Sequence, residues 1–455
     1  MSDTLTIQLD APAEAGEAGE AGERRYFDPY IETLPRAELK RLQEQRLLAT
    51  LPTIYQRSGL IRRAWDAAGV TPADIASIED FKAKAPFIDK DMIRDHRDRF
   101  DDPCGGLLIA EPGDLTTVGF TSGTTGDPTP TPLGRGNAIQ TEVLREFWHI
   151  GGRPGDYMTY MMFTFRGGQA WLGFLGDAGL TPILTPHDPR ELPLMIEAIE
   201  RYRPTVFYML STPMMIGLEK YFEAHPEKNP RSVFASIKGG VFGGEPMSPR
   251  FAALAKSWGL EIFDYTTLGD VTGAMECRAH NGFHAWEDLA LVEVLDDAGH
   301  PVPDGEMGEL VVTALQDPWA PMVRFRTGDI CKMDTAPCTC GRTHLRYWIL
   351  GRKGDQTIVQ GKAILPRDIQ RLVEQHRETK TCLFQIIRPE PVMEVLRLRV
   401  GYDPEALEDA PEVLAARLAQ TLKAEIGVPV EIDLVLVEEL LKLGPPQKIP
   451  RVTKQ

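Results

Sequence analysis

Between Val118 and Thr313 short apolar runs alternate with amphipathic stretches, and this alternation narrows the choice of fold more than any other feature of the chain. Thr205 to Leu210 and Leu260 to Phe263 have the length of strands, whereas Leu192 to Tyr202 repeats its apolar side chains at helical spacing. Strand and helix in turn cover both faces of a sheet, so a layered α/β domain is expected, with ligands at the strand ends. Upstream, Leu47, Leu48, Leu51 and Tyr55 recur at helical spacing, and Thr71-Pro72 before Ala73-Asp74 reads as the capped start of a further helix. The C-terminal part reads differently. Cys382 to Ile387, Leu396 to Val400 and Val430 to Leu436 are strand-like and Pro411 to Ile426 is helical, which fits a small mobile α+β domain joined on near Gly351 to Asp355. Residues 14 to 22 repeat Glu-Ala-Gly and have little to bury. The expected division is a disordered tail over 1–25, a large domain over 26–352 and a small one over 353–455.

With 455 residues, 42% hydrophobic and 25% charged, the chain is long enough for more than one core. A formal net charge of −16 argues against nonspecific binding to nucleic acid or to an anionic membrane. No apolar run has the length of a transmembrane helix and the N-terminus lacks a secretory core, so a cytoplasmic protein with neither partner is expected. Six cysteines are too few for a disulfide scaffold of this size, and their clustering suggests a metal.

The stretch Thr121-Ser122-Gly123-Thr124-Thr125-Gly126-Asp127-Pro128-Thr129 sets hydroxyl residues among glycines. Glycines permit close backbone approach, and consecutive N–H groups with Ser and Thr hydroxyls can converge on phosphate oxygens. No Gly-Lys-Ser or Gly-Lys-Thr closes the loop, so the P-loop ATPase mechanism is not supported. Downstream come Gly243-Gly244-Glu245-Pro246, Asp264-Tyr265-Thr266-Thr267, Arg324-Phe325-Arg326-Thr327-Gly328-Asp329 and Gly351-Arg352-Lys353-Gly354-Asp355.

This ordered series resembles the adenylate-forming (acyl-CoA synthetase) superfamily. Its compact length, Glu276-Cys277 ahead of Gly282-Phe283-His284-Ala285-Trp286-Glu287-Asp288, and Cys338-Thr339-Cys340-Gly341-Arg342-Thr343 resemble the phenylacetate–coenzyme A ligase branch, over about Tyr26 to Val452. The resemblance implies that Ser122, Gly123, Thr124, Thr125 and Gly126 wrap the phosphates of ATP. It further implies that Gly244, Glu245, Pro246, Asp264, Tyr265 and Thr266 line the base, with Tyr265 stacking on adenine, that Asp329 accepts from the ribose hydroxyls, and that Arg352 pairs with the ribose or phosphate. Lys448 matches the family's catalytic C-terminal lysine, suited to neutralise charge on the α-phosphate. The loop containing Gly361 would line the approach of coenzyme A after a rotation about the 353–355 hinge. Phe163, Phe165, Arg166, Gly167 and Gly168 border the implied acyl pocket, which suits a hydrophobic or aromatic carboxylic acid.

Cys277, His284, Cys338 and Cys340 offer three thiolates and an imidazole, a set suited to structural zinc, with His280 as an alternative nitrogen ligand. Two positions depart from the family. Asp127 stands where lysine is usual, and the acidic residue expected after the stacking tyrosine falls at Gly269, leaving Asp270 or Glu276 to hold Mg2+. The implied activity is acyl or aryl transfer to coenzyme A through an acyl adenylate, releasing AMP and pyrophosphate. Transfer to an amine or a carrier-protein thiol, and a degenerate nucleotide binder, stand as alternatives. The oligomeric state is left open, with a homodimer as one arrangement.

Overall fold

A parallel sheet forms the centre of the molecule. Its order is Thr181–Pro186, Tyr157–Met162, Val206–Leu210, Gly239–Phe242 and Ile262–Leu268, all parallel, and Thr272–Met275 closes it antiparallel. The computed structural model describes residues 25–120, 127, 129–134, 138–162, 175–186, 188–268, 271–443 and 449–454. Val206–Leu210 and Gly239–Phe242 are buried along their length, as parallel strands covered on both faces must be. Phe207 and Leu210 face a core shared with the helices Leu192–Tyr202 and Thr212–Ala224; Val206 and Tyr208 face the other side, against Val143 and Phe147 of the helix Ala138–His149. Alternation along one strand thus serves two helical layers.

A second sheet is antiparallel throughout, in the order Ala290–Leu295, Gly308–Ala314, Phe325–Asp334, Arg346–Arg352 and Phe283–His284. It packs Val312, Phe325 and Tyr347 against Leu47, Leu51 and Trp65 of the N-terminal helices Arg36–Arg57 and Gly59–Ala68. The helix expected to start at Thr71 is only the 3-10 turn Pro72–Asp74. The Asp74 carboxylate folds back onto the Thr71 N–H at 2.8 Å, Ile75 runs extended into the core, and Ser77 caps the next helix, Ile78–Lys84. The hydroxyl-rich loop connects the antiparallel strands Thr117–Phe120 and Pro130–Leu133.

C-terminal to Arg352, two small sheets enclose a separate core. One orders Val430–Leu436, Leu396–Tyr402, Phe384–Ile387 and Val452–Thr453, and the other Lys362–Ile364, Thr357–Val359 and Val392–Met393. The helix Pro411–Ile426 buries Leu414, Leu418, Leu422 and Ile426 in this core and ends at Gly427, whose φ of 78° supplies the left-handed cap. Leu383, Val437, Leu440 and Ile449 instead join Met214 and Phe251 in the core beside the central sheet, so an apolar seam links the two parts. Among the described residues no helix is long and apolar enough to cross a membrane.

Candidate nucleotide site and thiol–imidazole centre

The turn that follows Gly239–Phe242 bends at Gly244, where φ is 93° and a side chain would be strained. It brings the Met247 N–H onto Asp264 Oδ1 at 3.1 Å, at the C-terminal end of the neighbouring parallel strand. Asp264, Tyr265 and Thr266 follow one another on that strand and are each half-buried. Burial, reinforced by the Glu276 carboxylate, pushes Asp264 up to about 8. In the antiparallel sheet, Asp329 and Arg352 are register partners, with Arg352 Nε 3.4 Å from Asp329 Oδ1. Gly361 lies in the tight turn between Thr357–Val359 and Lys362–Ile364, at φ 78°.

Glu245 forms a link that the sequence did not announce. Its Oε2 accepts from Arg451 Nε at 3.0 Å and Nη2 at 2.8 Å, both side chains are buried, and Arg451 also donates to the Cys382 carbonyl at 2.8 Å. The C-terminal strand is thereby held against the Gly244-Glu245-Pro246 turn. Nearby, Glu374 Oε1 accepts from Ser248 Oγ at 2.6 Å and from the Arg250 N–H at 2.8 Å, across the same seam. An arginine three residues beyond Lys448 was the signal available, but nothing in the sequence says that it faces Glu245.

Asp127 is turned toward the helix Lys90–Phe100. Its carboxylate accepts from Arg97 Nη1 at 2.8 Å and Nη2 at 3.0 Å, and its carbonyl from Arg94 Nη2 at 2.7 Å, on the helix Lys90–Phe100. The hydrogen bonds from Arg97 hold its carboxyl below the usual range. The anion that stands in place of a lysine is therefore paired rather than set against a phosphate.

Cys277, His284, Cys338 and Cys340 come together with one ligand atom of each within 4.8 Å of the others, all buried. The six cysteines are all unbridged. His284 Nδ1 donates to the His344 carbonyl at 2.8 Å, which leaves the Nε2 lone pair facing Cys340 Sγ at 3.2 Å. Backbone N–H groups of Cys340 and Arg342 point at Cys338 Sγ and Cys340 Sγ, at 3.5 and 3.4 Å, as donors to thiolates do. His280 is not in this set: it lies 3.2 Å from Glu276 Oε2 and stacks on Phe263 at 5.0 Å. The Glu261 carboxylate 3.8 Å from Nε2 and the hydrogen-bonded Glu276 raise its pKa to about 9, which favours an imidazolium over a ligand.

Of the expected site residues, 122–126, 163, 165–168, 270 and 448 lie outside the described residues. Missed altogether was a buried polar layer beneath the central sheet. Arg145 grips Asp288 in a two-pronged contact at 2.7 and 2.9 Å, and Glu142 and Glu146 lie on the same helix. Two acids spaced by four residues among Val143, Leu144 and Phe147 were the readable sign.

Residues 86–316 match the family described as AMP-binding enzyme. The phenylacetate-coenzyme A ligase of Thermus thermophilus is 29% identical over 453 residues, covering 93% of this chain and 96% of that protein. The phenylacetate-coenzyme A ligase of Aromatoleum evansii is 29% identical over 89% of this chain and 92% of its own length. Among solved structures, 2-hydroxyisobutyryl-CoA ligase in the postadenylation state with 2-HIB-AMP superposes with a TM-score of 0.83 at 24% identity, over 96% of this chain and 94% of that one. The same enzyme in its thioesterification state, with 2-HIB-AMP and CoA, gives 0.67 at 25% identity over the same shares.

Proposed function

The chain belongs to the family of AMP-binding enzymes, and from that premise we propose that it activates an apolar or aromatic carboxylic acid for transfer to coenzyme A. It is an ATP-dependent, AMP-forming acid–thiol ligase. The substrate carboxylate attacks the α-phosphorus, the bond to the bridging oxygen breaks, and pyrophosphate leaves. The thiol of coenzyme A then attacks the acyl carbon of the mixed anhydride and AMP departs. Tyr265 stacks on the base, the Gly244-Glu245-Pro246 turn borders its edge, Asp329 accepts from the ribose hydroxyls, and Arg352 steadies Asp329. The phosphates are the task of residues 122–126.

The observation that carries this reading is the Glu245–Arg451 pair at 2.8 Å, which brings the C-terminal segment to the nucleotide turn. Lys448 lies three residues before Arg451 in the sequence, and its proposed role is on the α-phosphate. For the second step the part beyond residue 352 rotates, carrying Lys448 away and bringing the Gly361 turn in. The better superposition on a postadenylation state, 0.83 against 0.67, supports a chain drawn in the first of these arrangements.

Two metals are implied. Three thiolates and an imidazole oriented by a carbonyl fit a closed tetrahedral Zn2+, which would tie Cys277 and His284 to the 338–340 turn and leave no position open for substrate. Magnesium, when bound, would neutralise phosphate oxygens. Glu276 fits it poorly, because Oε2 already accepts from the Asp264 N–H at 3.2 Å and faces the His280 imidazolium. Asp270 is the oxygen donor left for that role.

Tyr160 and Tyr208, stacked at 5.4 Å, belong to the packed core with Met158, Phe147 and Val206, and the apolar or aromatic acyl group is proposed from the likeness to phenylacetate-coenzyme A ligases. The test is pyrophosphate release from ATP across aromatic, aryl-alkanoic and polycyclic acids, with and without coenzyme A. AMP release that requires both an acid and the thiol is expected. Pyrophosphate exchange without AMP release on adding coenzyme A would point to an amine or carrier-protein acceptor, and no exchange with any acid would sink the reading.

A further inference from the structure

Eight carboxylates among the described residues are buried, and six of them are neutralised by arginine. Arg342 holds Glu32 at 2.9 Å, Arg145 holds Asp288 at 2.7 Å, Arg324 holds Glu293 at 3.2 Å and Arg326 holds Glu309 at 2.6 Å; Arg36 and Arg417 do the same for Glu287 and Glu378. Of the eight, Glu142 and Glu146 alone have no cation among the described residues within ion-pair distance. Leaving a carboxylate buried and uncompensated costs several kcal/mol. Their chemistry has to be explained by hydrogen bonds.

Those bonds converge on Glu142. Oε2 accepts from the Thr272 hydroxyl at 3.0 Å and from the Gly273 N–H, and Oε1 accepts from the Tyr265 hydroxyl at 3.2 Å. Glu146 lies one turn further along the same helix, where burial pushes its carboxyl far up and the neighbouring Glu142 carboxylate adds to that rise. Burial also raises Glu142, to about 7, against the hydrogen bonds it accepts from Gly273, Thr272 and Tyr265. Residue 273 must be glycine for this to be possible, since a Cβ there would collide with Glu142 Oε1 and the Tyr265 hydroxyl. The three backbone and side-chain donors lie on the two strands Ile262–Leu268 and Thr272–Met275, which pair Tyr265 with Met275 and Leu268 with Thr272. One carboxylate therefore ties the sheet's last hairpin to the helix Ala138–His149.

We propose that Glu142 is a positioning residue for the nucleotide: by fixing the Tyr265 hydroxyl and the opposite strand of the same hairpin, it sets the plane of the ring on which the base stacks. This rests on the role given to Tyr265 above. A stacked ring gains from its plane being held in advance, because ordering it on binding would subtract from affinity. The arrangement also explains why an acid without an arginine is retained in the core. An arginine on the carboxylate would compete for the lone pairs that hold Tyr265, Thr272 and Gly273.

The test measures ATP affinity of the full chain by calorimetry, which needs no knowledge of the acid, for the wild type, Glu142→Gln, Tyr265→Phe and the double variant. Each single change is expected to weaken ATP about tenfold, the worth of one charge-assisted hydrogen bond. The double is expected to be no worse than the weaker single, because both remove one coupling. In pyrophosphate exchange the loss should appear in KM for ATP, with kcat and KM for the acid within about twofold. A merely structural role would lower the melting temperature and move all three together. ATP binding by Glu142→Gln equal to wild type, or losses that add in the double variant, would overturn the proposal. Should Glu142→Gln fail to fold, Thr272→Val removes one donor and leaves the carboxylate in place, with about a threefold loss of ATP affinity expected and none counting against it. A wild type that binds ATP without exchanging pyrophosphate would remove the proposed function and leave this inference standing.

Discussion

Cys277 and Cys338 meet across 61 positions of sequence, and Glu245 and Arg451 across 206, yet the two junctions are made of opposite materials. The first gathers four buried soft donors, oriented by backbone N–H groups and a carbonyl, with every ligand position filled from within. The second is an ion pair with apolar neighbours and a few hydrogen bonds on Glu374, laid across a seam between separate cores. Metal–thiolate bonds release only on loss of the metal, whereas a salt bridge and a seam of leucines exchange partners at modest cost. On the proposed reading, the chain fastens with a metal the part that keeps its shape and only latches the part that turns.

The contrast is broken most severely at the thiols. Cys338→Ser/Cys340→Ser is expected to take zinc in protein purified without added metal from about one per chain to near none. Structural zinc contributes on the order of ten kcal/mol in small domains, so the variant should also melt far below wild type; elemental analysis beside calorimetry decides it. Equal and negligible zinc in both proteins would make the centre a cluster of reduced thiols. Next in size is Lys448→Ala, expected to slow adenylation by roughly a hundred- to a thousandfold. The thioester half, started from a synthetic acyl adenylate, should survive, and equal damage to both halves would deny that the seam turns.

A third effect sharpens the fixed side. Burial would raise Asp288, but the Arg145 guanidinium outweighs it and holds the carboxyl down at about 2. A depressed folded pKa means stability present above the unfolded value and lost as pH falls through the folded one. Unfolding free energy should therefore drop by about 2 kcal/mol between pH 4 and pH 2 from this group, readable from denaturant midpoints. The smallest effect belongs to the latch. Glu245→Gln, which removes the charge facing Arg451, is expected to lower adenylation about tenfold while leaving or raising the thioester rate. A fall in both rates by the same factor would mean that the pair supports the fold rather than the arrangement.

How much of this could be read beforehand follows from range. The helices Leu192–Tyr202 and Pro411–Ile426 and the strand Val430–Leu436 have the bounds that their periodicity suggests, since local pattern and burial agree there. That Cys277, His284, Cys338 and Cys340 could gather was legible because their residue types are rare and clustered. Thr71 misled because a capping residue says where a turn begins and nothing about how long it lasts; Ile75 ended it by going to the core. Arg451, Arg145 and Glu142 were illegible in their roles because charge in a sequence is ordinarily solvent-facing, and their partners lie more than a hundred positions away.

Asp127 offers a consequence in evolutionary terms. Arg97 and Arg94 hold both its carboxylate and its carbonyl, so a lysine at this position would meet two arginines, with Asp98 on Arg97 and Asp91 on Arg94 as the carboxylates that remain. The route from this chain to one bearing the family's usual residue is therefore ordered: Arg97 must be neutralised first, and Asp127→Lys becomes tolerable only afterwards. Such sign epistasis would show as a melting temperature lower in Asp127→Lys alone than in Asp127→Lys with Arg97→Gln, and its absence would mean that helix 90–100 yields more readily than its contacts suggest.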